Sequence, residues 1–364
     1  MNRLFLRHIK QQGFSLAELM VAMVIGLVAS LVIQQMFSVF SAQSRTTTSG
    51  ADAQENGLVA SQMIERDIRS AGYGLTNSAL LNCTTTYTYR SDIDAPIPNF
   101  SLRGFSITDG GAGPDELTFQ YGTSIRAGVD STISDTMPQS SSELKVSNTN
   151  GFSDGDLMMV VQGTKCTLMQ ITQVQAASFH LQHNPGGSGL TYNPTVPFQT
   201  TNAWPAYDAG ASLFNLGSIT SRQYKILNNS LQLSEDSGVT FNDLVRDIVT
   251  IQAQYGITAT AVSSDHAVTK WVNATVDPTT GTNWAAPSAT DFQRIKAIRF
   301  AVVARSNLRE STQVTSTSLT LWPQVTSGQT TSGLTYAVAD ADRYYRYKVY
   351  QTVVPMRNVI WGSN

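Results

Sequence analysis

Charge is scarce in this chain of 364 residues, where Asp, Glu, Lys and Arg together make up 14%. Basic and acidic side chains number 24 and 26, a formal net charge of −2, so no broad cationic surface is on offer to nucleic acid. Cysteine is scarcer still. The two present, Cys83 and Cys166, form no C-x-x-C, so thiol–disulfide exchange chemistry has no support. Histidine numbers four, too few and too scattered to give a zinc centre a pattern to rest on. The G-x-S-x-G at Gly151-Phe152-Ser153-Asp154-Gly155 falls in a polar turn between short strands, not between a strand and a helix, so it does not read as a nucleophile elbow. Proline is missing between Met1 and Ala95, which leaves the first quarter free to run as helix.

Hydrophobic residues, in contrast, are concentrated in one early run. Phe14 to Ile33 holds a single charge, Glu18, and as a helix it would reach about 30 Å, the thickness of a bilayer core. The residues before it carry Arg3, Arg7 and Lys10 and no acid, which keeps that end cytoplasmic. A secretory signal would place its cleavage site after the apolar region. Here the candidate junction, Gly13-Phe14, precedes it, so cleavage would leave the hydrophobic helix on the mature protein. Glu18 is a functional candidate by position, because a carboxylate at membrane depth costs at least ~2.5 kcal/mol.

The run GFSLAELMVAMVIGL resembles the class III signal of type IV prepilins, with Ser15 and Ala17 standing where that pattern usually has Thr and Ile. The resemblance implies cleavage after Gly13 by prepilin peptidase, methylation of the new Phe14 amine, and pairing of Glu18 with a filament N-terminus. The alternative is an uncleaved single-pass anchor with Glu18 near the interface. Loss of the leader would remove three basic residues and no acids, taking the net charge from −2 to −5.

Past Phe40 the chain turns polar. Met63, Ile64, Ile68 and Ala71 recur at three- and four-residue spacing, an amphipathic stripe suited to packing on a globular part, and Gly72 and Gly74 supply a stop. One helix from Phe14 to about Gly72 would span about 88 Å. The polar patch from Ser41 to Gly57 is expected to be partly unwound. The reading predicts a leader over 1–13, a helix over 14–74 with a membrane or filament-core half (14–40) and a head-packing half (41–74), a β-rich inserted region over 75–212, and a C-terminal sheet region over 213–364.

Inside those regions short strands are read at 106–108, 116–121, 144–146, 157–162, 166–174 and 178–182, the later ones as a β-meander. A hairpin turns at Asn228-Asn229-Ser230. Asp243 to Tyr255 alternates, residues 297–304 run almost continuously apolar as a doubly buried strand does, and Tyr344 to Val354 closes the series. Asp154 and Asp156 read as turn formers, the H-x-x-H of His180 and His183 as strand residues without a third ligand, and Asp340 and Asp342 as solvated carboxylates. Tyr344, Tyr345, Tyr347 and Tyr350 read as half-buried sheet aromatics. Cys83 and Cys166 form a disulfide if the C-terminal part lies outside the cytoplasm, and stay two free thiols otherwise.

The stretches ERDIRSAGYG, DLVRDIVTIQAQYGI, AIRFAVVARS and YKVYQTVVPMRN resemble the PilW family of minor pilins. The resemblance implies an α+β fold, a pilin-like long N-terminal helix laid on a mainly antiparallel β head, enlarged here by the inserted meander. It further implies a minor pilin that helps start type IV pilus assembly and sits at or near the tip. Expected partners are other minor pilins, the major pilin, a PilY-type tip adhesin and prepilin peptidase, with residues 184–210 and 258–290 as contact candidates. Expected locations are the inner membrane, with the head in the periplasm, and then the pilus. No enzymatic activity, cofactor, metal or nucleic-acid partner is expected. A minor pseudopilin of a type II secretion system is the nearest alternative, and a membrane-tethered periplasmic binding domain or enzyme the alternative of another class.

Overall fold

The computed structural model describes residues 13, 15–98, 100, 102–124, 130–137, 139, 143–185, 191–262, 264–325 and 333–362. The chain falls into two compact units, Met1–Ala51 and Asp52–Asn364. One helix, α1 (Leu16–Ser70), contributes to both. The polar stretch expected to unwind is helical throughout. It holds no proline, and hydroxyls within the helix bond back one turn, as Thr47 Oγ1 does to the Gln43 carbonyl at 2.9 Å.

Within the second unit α1 buries a single stripe, Ala53, Ala60, Ile64, Ile68 and Ala71. The spacing of three, four and seven residues keeps these on one face. Burying Ile64 and Ile68 contributes about 1.5–3 kcal/mol apiece.

The stripe packs into a core shared by two antiparallel sheets. One has five strands, in the order Asn242–Arg246, Ser230–Ser234, Ile219–Leu227, Glu116–Gly122, Phe105–Thr108. The other has four, in the order Lys270–Val272, Ile248–Ile257, Ile295–Arg305, Tyr347–Pro355. Strand Ile295–Arg305 is buried on both faces, as its apolar run requires. Ile298, Phe300, Val302 and Ala304 face the helix core, while Ala301 and Val303 meet Leu321 and Trp322 of the hairpin Ser318–Trp322/Leu334–Ala337.

A third sheet, also of five strands, runs Thr85–Tyr87, Lys165–Gln170, Leu157–Gln162, Ser212–Gly217, Asp130–Thr132. Strand Leu157–Gln162 lies inside it and alternates between two cores. Met158 and Val160 join one with Leu144, Leu181 and Leu213, and Leu157, Met159 and Val161 join another with Leu75, Leu80 and Leu168. A small three-stranded sheet, Leu144–Lys145, His180–Gln182, Gln173–Gln175, covers the first of these cores. The architecture is α+β, a long N-terminal helix followed by mostly antiparallel sheets. Among the described residues strand pairing crosses position 212 three times: Glu116–Gly122 pairs with Ile219–Leu227, and Leu157–Gln162 and Asp130–Thr132 both pair with Ser212–Gly217.

Candidate assembly segment

Ser15 and Glu18 close the start of α1 on each other. The Ser15 N–H donates to Glu18 Oε2 at 3.0 Å, and the Glu18 N–H donates to Ser15 Oγ at 3.2 Å. This is a capping box, and its S-x-x-E spacing is legible in Ser15-Leu16-Ala17-Glu18, although the sequence reading above did not use it. The box satisfies two of the helix's orphan donors and sets a carboxylate against the positive end of the dipole, worth about 0.3–1 kcal/mol. Among the described residues Glu18 Oε1 accepts no bond. One carboxylate oxygen thus orders the helix end.

From Leu16 to Phe40 the helix carries apolar side chains on every face, interrupted by Glu18, Ser30, Gln34, Gln35 and Ser38, and Leu16, Met23, Met36, Phe37 and Phe40 are each about two-thirds or more exposed. Its most apolar window reaches a mean hydropathy of 2.5 with none of it buried, long enough to cross a membrane. Ser30 and Ser38 hand their hydroxyl protons to the carbonyls of Gly26 and Gln35 at 2.8 Å, which removes most of their cost in hydrocarbon. Gly13 is exposed at the start of the described residues. Phe14 and the leader before Gly13 lie outside them.

The second half of α1 is held by polar bonds as well as by its stripe. Asp67, buried at 1% exposure, accepts from Tyr224 Oη at 2.5 Å and from Arg222 Nη1 at 3.3 Å. Ser61 and Thr352 share a hydrogen bond, and Tyr350 Oη donates to the Gln54 carbonyl at 2.8 Å. Where α1 ends, Asn358 Nδ2 reaches the carbonyls of Arg69, Ser70 and Ala71 at 3.4, 3.2 and 3.0 Å. A residue of the last short helix, Arg357–Gly362, thereby caps the first. Gly72 follows with φ 79°, the left-handed turn out of the helix, and its N–H goes to the Gln120 carbonyl at 2.9 Å.

Cys83 and Cys166 are bonded, with Cα atoms 5.8 Å apart. The bond ties the segment after α1 to strand Lys165–Gln170, against which Thr85–Tyr87 pairs in parallel. The remaining candidates are structural. Asp154 Oδ1 accepts the Val174 N–H, and Asp156 Oδ2 accepts from the Ser153 N–H and Asn215 Nδ2. His180 lies in its strand beside Glu143, while His183 follows the strand and is buried. Asp340 and Asp342 pair with Arg343 and Arg305. Among the described residues no three His, Cys, Asp or Glu side chains cluster to hold a metal ion. Of the tyrosines, Tyr347 packs beside Tyr336, and Arg309 and Arg305 lie over Tyr344 and Tyr345.

Comparison with known proteins assigns two stretches. Residues 9–33 match the model for the prokaryotic N-terminal methylation motif. Residues 216–358 match the model for Type IV pilus-assembly protein W. The second stretch contains the whole four-stranded sheet and ends at the helix-capping Asn358. A type IV-like pilin from Thermus thermophilus superposes with a TM-score of 0.32 at 9% identity, over 84% of this chain and 97% of that one. No curated protein matches the sequence. Residues 216–358 are thus similar to the Type IV pilus-assembly protein W family, on the same polypeptide as a stretch similar to the prokaryotic N-terminal methylation motif.

Proposed function

We propose that this chain is a minor pilin that helps initiate type IV pilus assembly and stays at or near the pilus tip. The observation that carries the reading is one carboxylate, Glu18, set by its capping box at the head of the apolar half of α1, in a chain that also matches the pilus-assembly family. Residues 1–13 are the leader. Prepilin peptidase removes it after Gly13, and the freed Phe14 amine is methylated. The apolar half of α1 holds the protein in the inner membrane with its head in the periplasm, the oxidising side that suits the Cys83–Cys166 bond. On assembly Glu18 takes the terminal ammonium of a neighbouring subunit, a charge otherwise buried among apolar helices. Removing one member of such a pair costs about 3–5 kcal/mol, which sets the sense of the interaction.

Size supports the position at an end. The unit Asp52–Asn364 is a large body to repeat in a close-packed shaft, whereas a tip has room for it. The partners are then the other minor pilins, the major pilin below and a PilY-type adhesin above, with exposed residues within 184–210 and 258–290 as the contacts. The role is structural rather than catalytic. Deletion of the gene tests the reading. The expected result is a sharp loss of surface pili with the major pilin retained in the inner membrane, and partial loss with Glu18→Ala. Normal piliation without the gene overturns it.

A further inference from the structure

The four-stranded sheet ends in strand Tyr347–Pro355, nine residues long and about 30 Å from end to end. Two bonds just beyond its ends fix which of its backbone groups point inward. The Met356 N–H donates to the Lys296 carbonyl at 2.8 Å, and the Ser306 N–H donates to the Arg346 carbonyl at 2.7 Å. Between them the register is unbroken, from Ala297 opposite Pro355 to Arg305 opposite Tyr347. Antiparallel pairs alternate between bonded and non-bonded. Lys348, Tyr350, Thr352 and Val354 therefore bond to strand Ile295–Arg305, while Tyr347, Val349, Gln351 and Val353 turn their N–H and carbonyl groups outward. Among the described residues nothing meets that outward row.

Two other sheet edges are closed by side chains. The Ile107 N–H of strand Phe105–Thr108 goes to Tyr255 Oη at 2.7 Å, and the Val174 N–H of strand Gln173–Gln175 goes to Asp154 Oδ1. The opposite edge of the four-stranded sheet, Lys270–Val272, has only three residues. A long edge with free donors and acceptors is a template for another strand, and folded proteins ordinarily shorten, charge or cover it. Tyr347–Pro355 carries one charge, Lys348, and its proline comes last.

The surroundings of the edge define what suits it. On the helix side Gln54 and Ser61 meet Tyr350 and Thr352, and Leu58, which shares their face of α1, is 48% exposed. On the opposite face of the sheet Val353 is 60% exposed. Lys348 and Arg357 are exposed and form no ion pair among the described residues, and no acid occurs from 347 to 357.

We propose that this edge takes an extended segment of a different polypeptide, one carrying apolar side chains and an acid, as a fifth strand of the sheet. The outward backbone groups supply the affinity, and Leu58, Val353 and the two cations select the side chains. A second copy of this chain suits the edge less, because two like edges would bring Lys348 and Arg357 of both copies to one seam without an acid. The inference does not rest on the role in pilus assembly; it needs only the open edge.

The test is titration of the full-length chain in detergent with a labelled decapeptide of alternating valine and threonine bearing one central glutamate. Fluorescence anisotropy reads binding, and hydrogen exchange reads the edge. The expected result is saturable binding, with the Tyr347, Val349, Gln351 and Val353 amides exchanging fast in the free chain and slowly in the complex. Gln351→Pro removes an outward N–H that the fold does not use, as an edge strand allows, and is expected to weaken binding about tenfold. Thermal unfolding of that variant verifies its fold. The same peptide N-methylated at every second residue makes the equivalent test on the unaltered chain, and a lysine in place of its glutamate is expected to weaken binding. Those four amides already protected in the free chain, no saturable binding, or equal binding of the N-methylated or lysine peptide overturns the proposal. Self-association of the chain that Gln351→Pro abolishes overturns it in favour of a second copy.

Discussion

Tyr224 Oη donates to the buried carboxylate of Asp67 at 2.5 Å, joining α1 to the strand Ile219–Leu227 of the five-stranded sheet. Burial, and then the carboxylate itself, push the Tyr224 phenol far above its ordinary range, so this tyrosine stays a donor at any working pH. Asp67→Ala leaves the phenol and Arg222 Nη1 without their acceptor, and a loss of about 3 kcal/mol is expected. Tyr224→Phe removes one bond and is expected to cost about 1–2 kcal/mol. Urea unfolding of the single and double variants checks the pair. A double-mutant coupling near zero would show that the two side chains do not act together.

Gly57 looks like a defect in a helix, yet its missing side chain is what lets α1 reach the sheet. A methyl placed at position 57 would overlap the Tyr350 ring and lie 3.1 Å from Ala304 Cβ. Gly57→Ala ought to gain about 1 kcal/mol from helix propensity alone. It is expected instead to destabilise the head by about 1–3 kcal/mol, because Tyr350 must swing away and release the Gln54 carbonyl. A rise in melting temperature in that variant would contradict the close approach.

The local features of the fold were legible in the sequence, while the pairing of its strands was not. The apolar first half of α1, the stripe through Ile64 and Ile68, and the unbroken apolar strand at 297–304 are each written in consecutive residues, where periodicity speaks directly. So is the hairpin at Asn228 and Asn229, whose φ angles of 52° and 57° suit asparagine. The segment 243–255 reads as one alternating strand, but it divides at Asp247, where φ is 62°. Asn242–Arg246 joins the five-stranded sheet and Ile248–Ile257 the four-stranded one. A single left-handed residue leaves the alternation of apolar side chains almost undisturbed, so the pattern does not report the change of sheet. Likewise, nothing local announces that Phe105–Thr108 and Glu116–Gly122 belong with strands a hundred residues later, or that Asn358 caps α1. The Ser15–Glu18 box was within reach, since its spacing is explicit.

Asp115 links the two sheets that flank α1 and makes the head sensitive to pH. Its N–H donates to the Ile251 carbonyl at 2.8 Å, and its carboxylate accepts from the N–H groups of Ala253 and Gly110 at 2.7 and 2.9 Å. Burial outweighs those two donors and pushes the carboxyl up to about 6. A group that holds its proton more tightly folded than unfolded contributes most below its ordinary value of 3.8 and loses that contribution as pH rises through about 6. Stability should therefore fall by about 2–3 kcal/mol between about pH 4 and pH 7 from this group. Denaturant unfolding across that range in the native chain and in Asp115→Asn isolates the contribution. An unchanged slope in the variant would assign the pH dependence elsewhere.

The Cys83–Cys166 bond joins residues 83 apart in sequence, and its loss is expected to cost about 2–5 kcal/mol. Cys166 is fully buried beside Leu168 and Phe214, so Cys166→Ser adds an unpaired hydroxyl to that core, and Cys83→Ser is the cleaner probe. Thermal unfolding of Cys83→Ser against the native chain gives the value. Equal melting temperatures would mean that the bond adds nothing to the folded state.

The central claim is that this chain is processed as a prepilin and built into a pilus in small numbers. Mass spectrometry of sheared pili from cells expressing the native gene tests it most directly. The expected result is a peptide beginning at an N-methylated Phe14, present far below the major subunit. A chain that still begins at Met1, a terminus beyond the apolar run, or abundance equal to the shaft subunit would contradict the account.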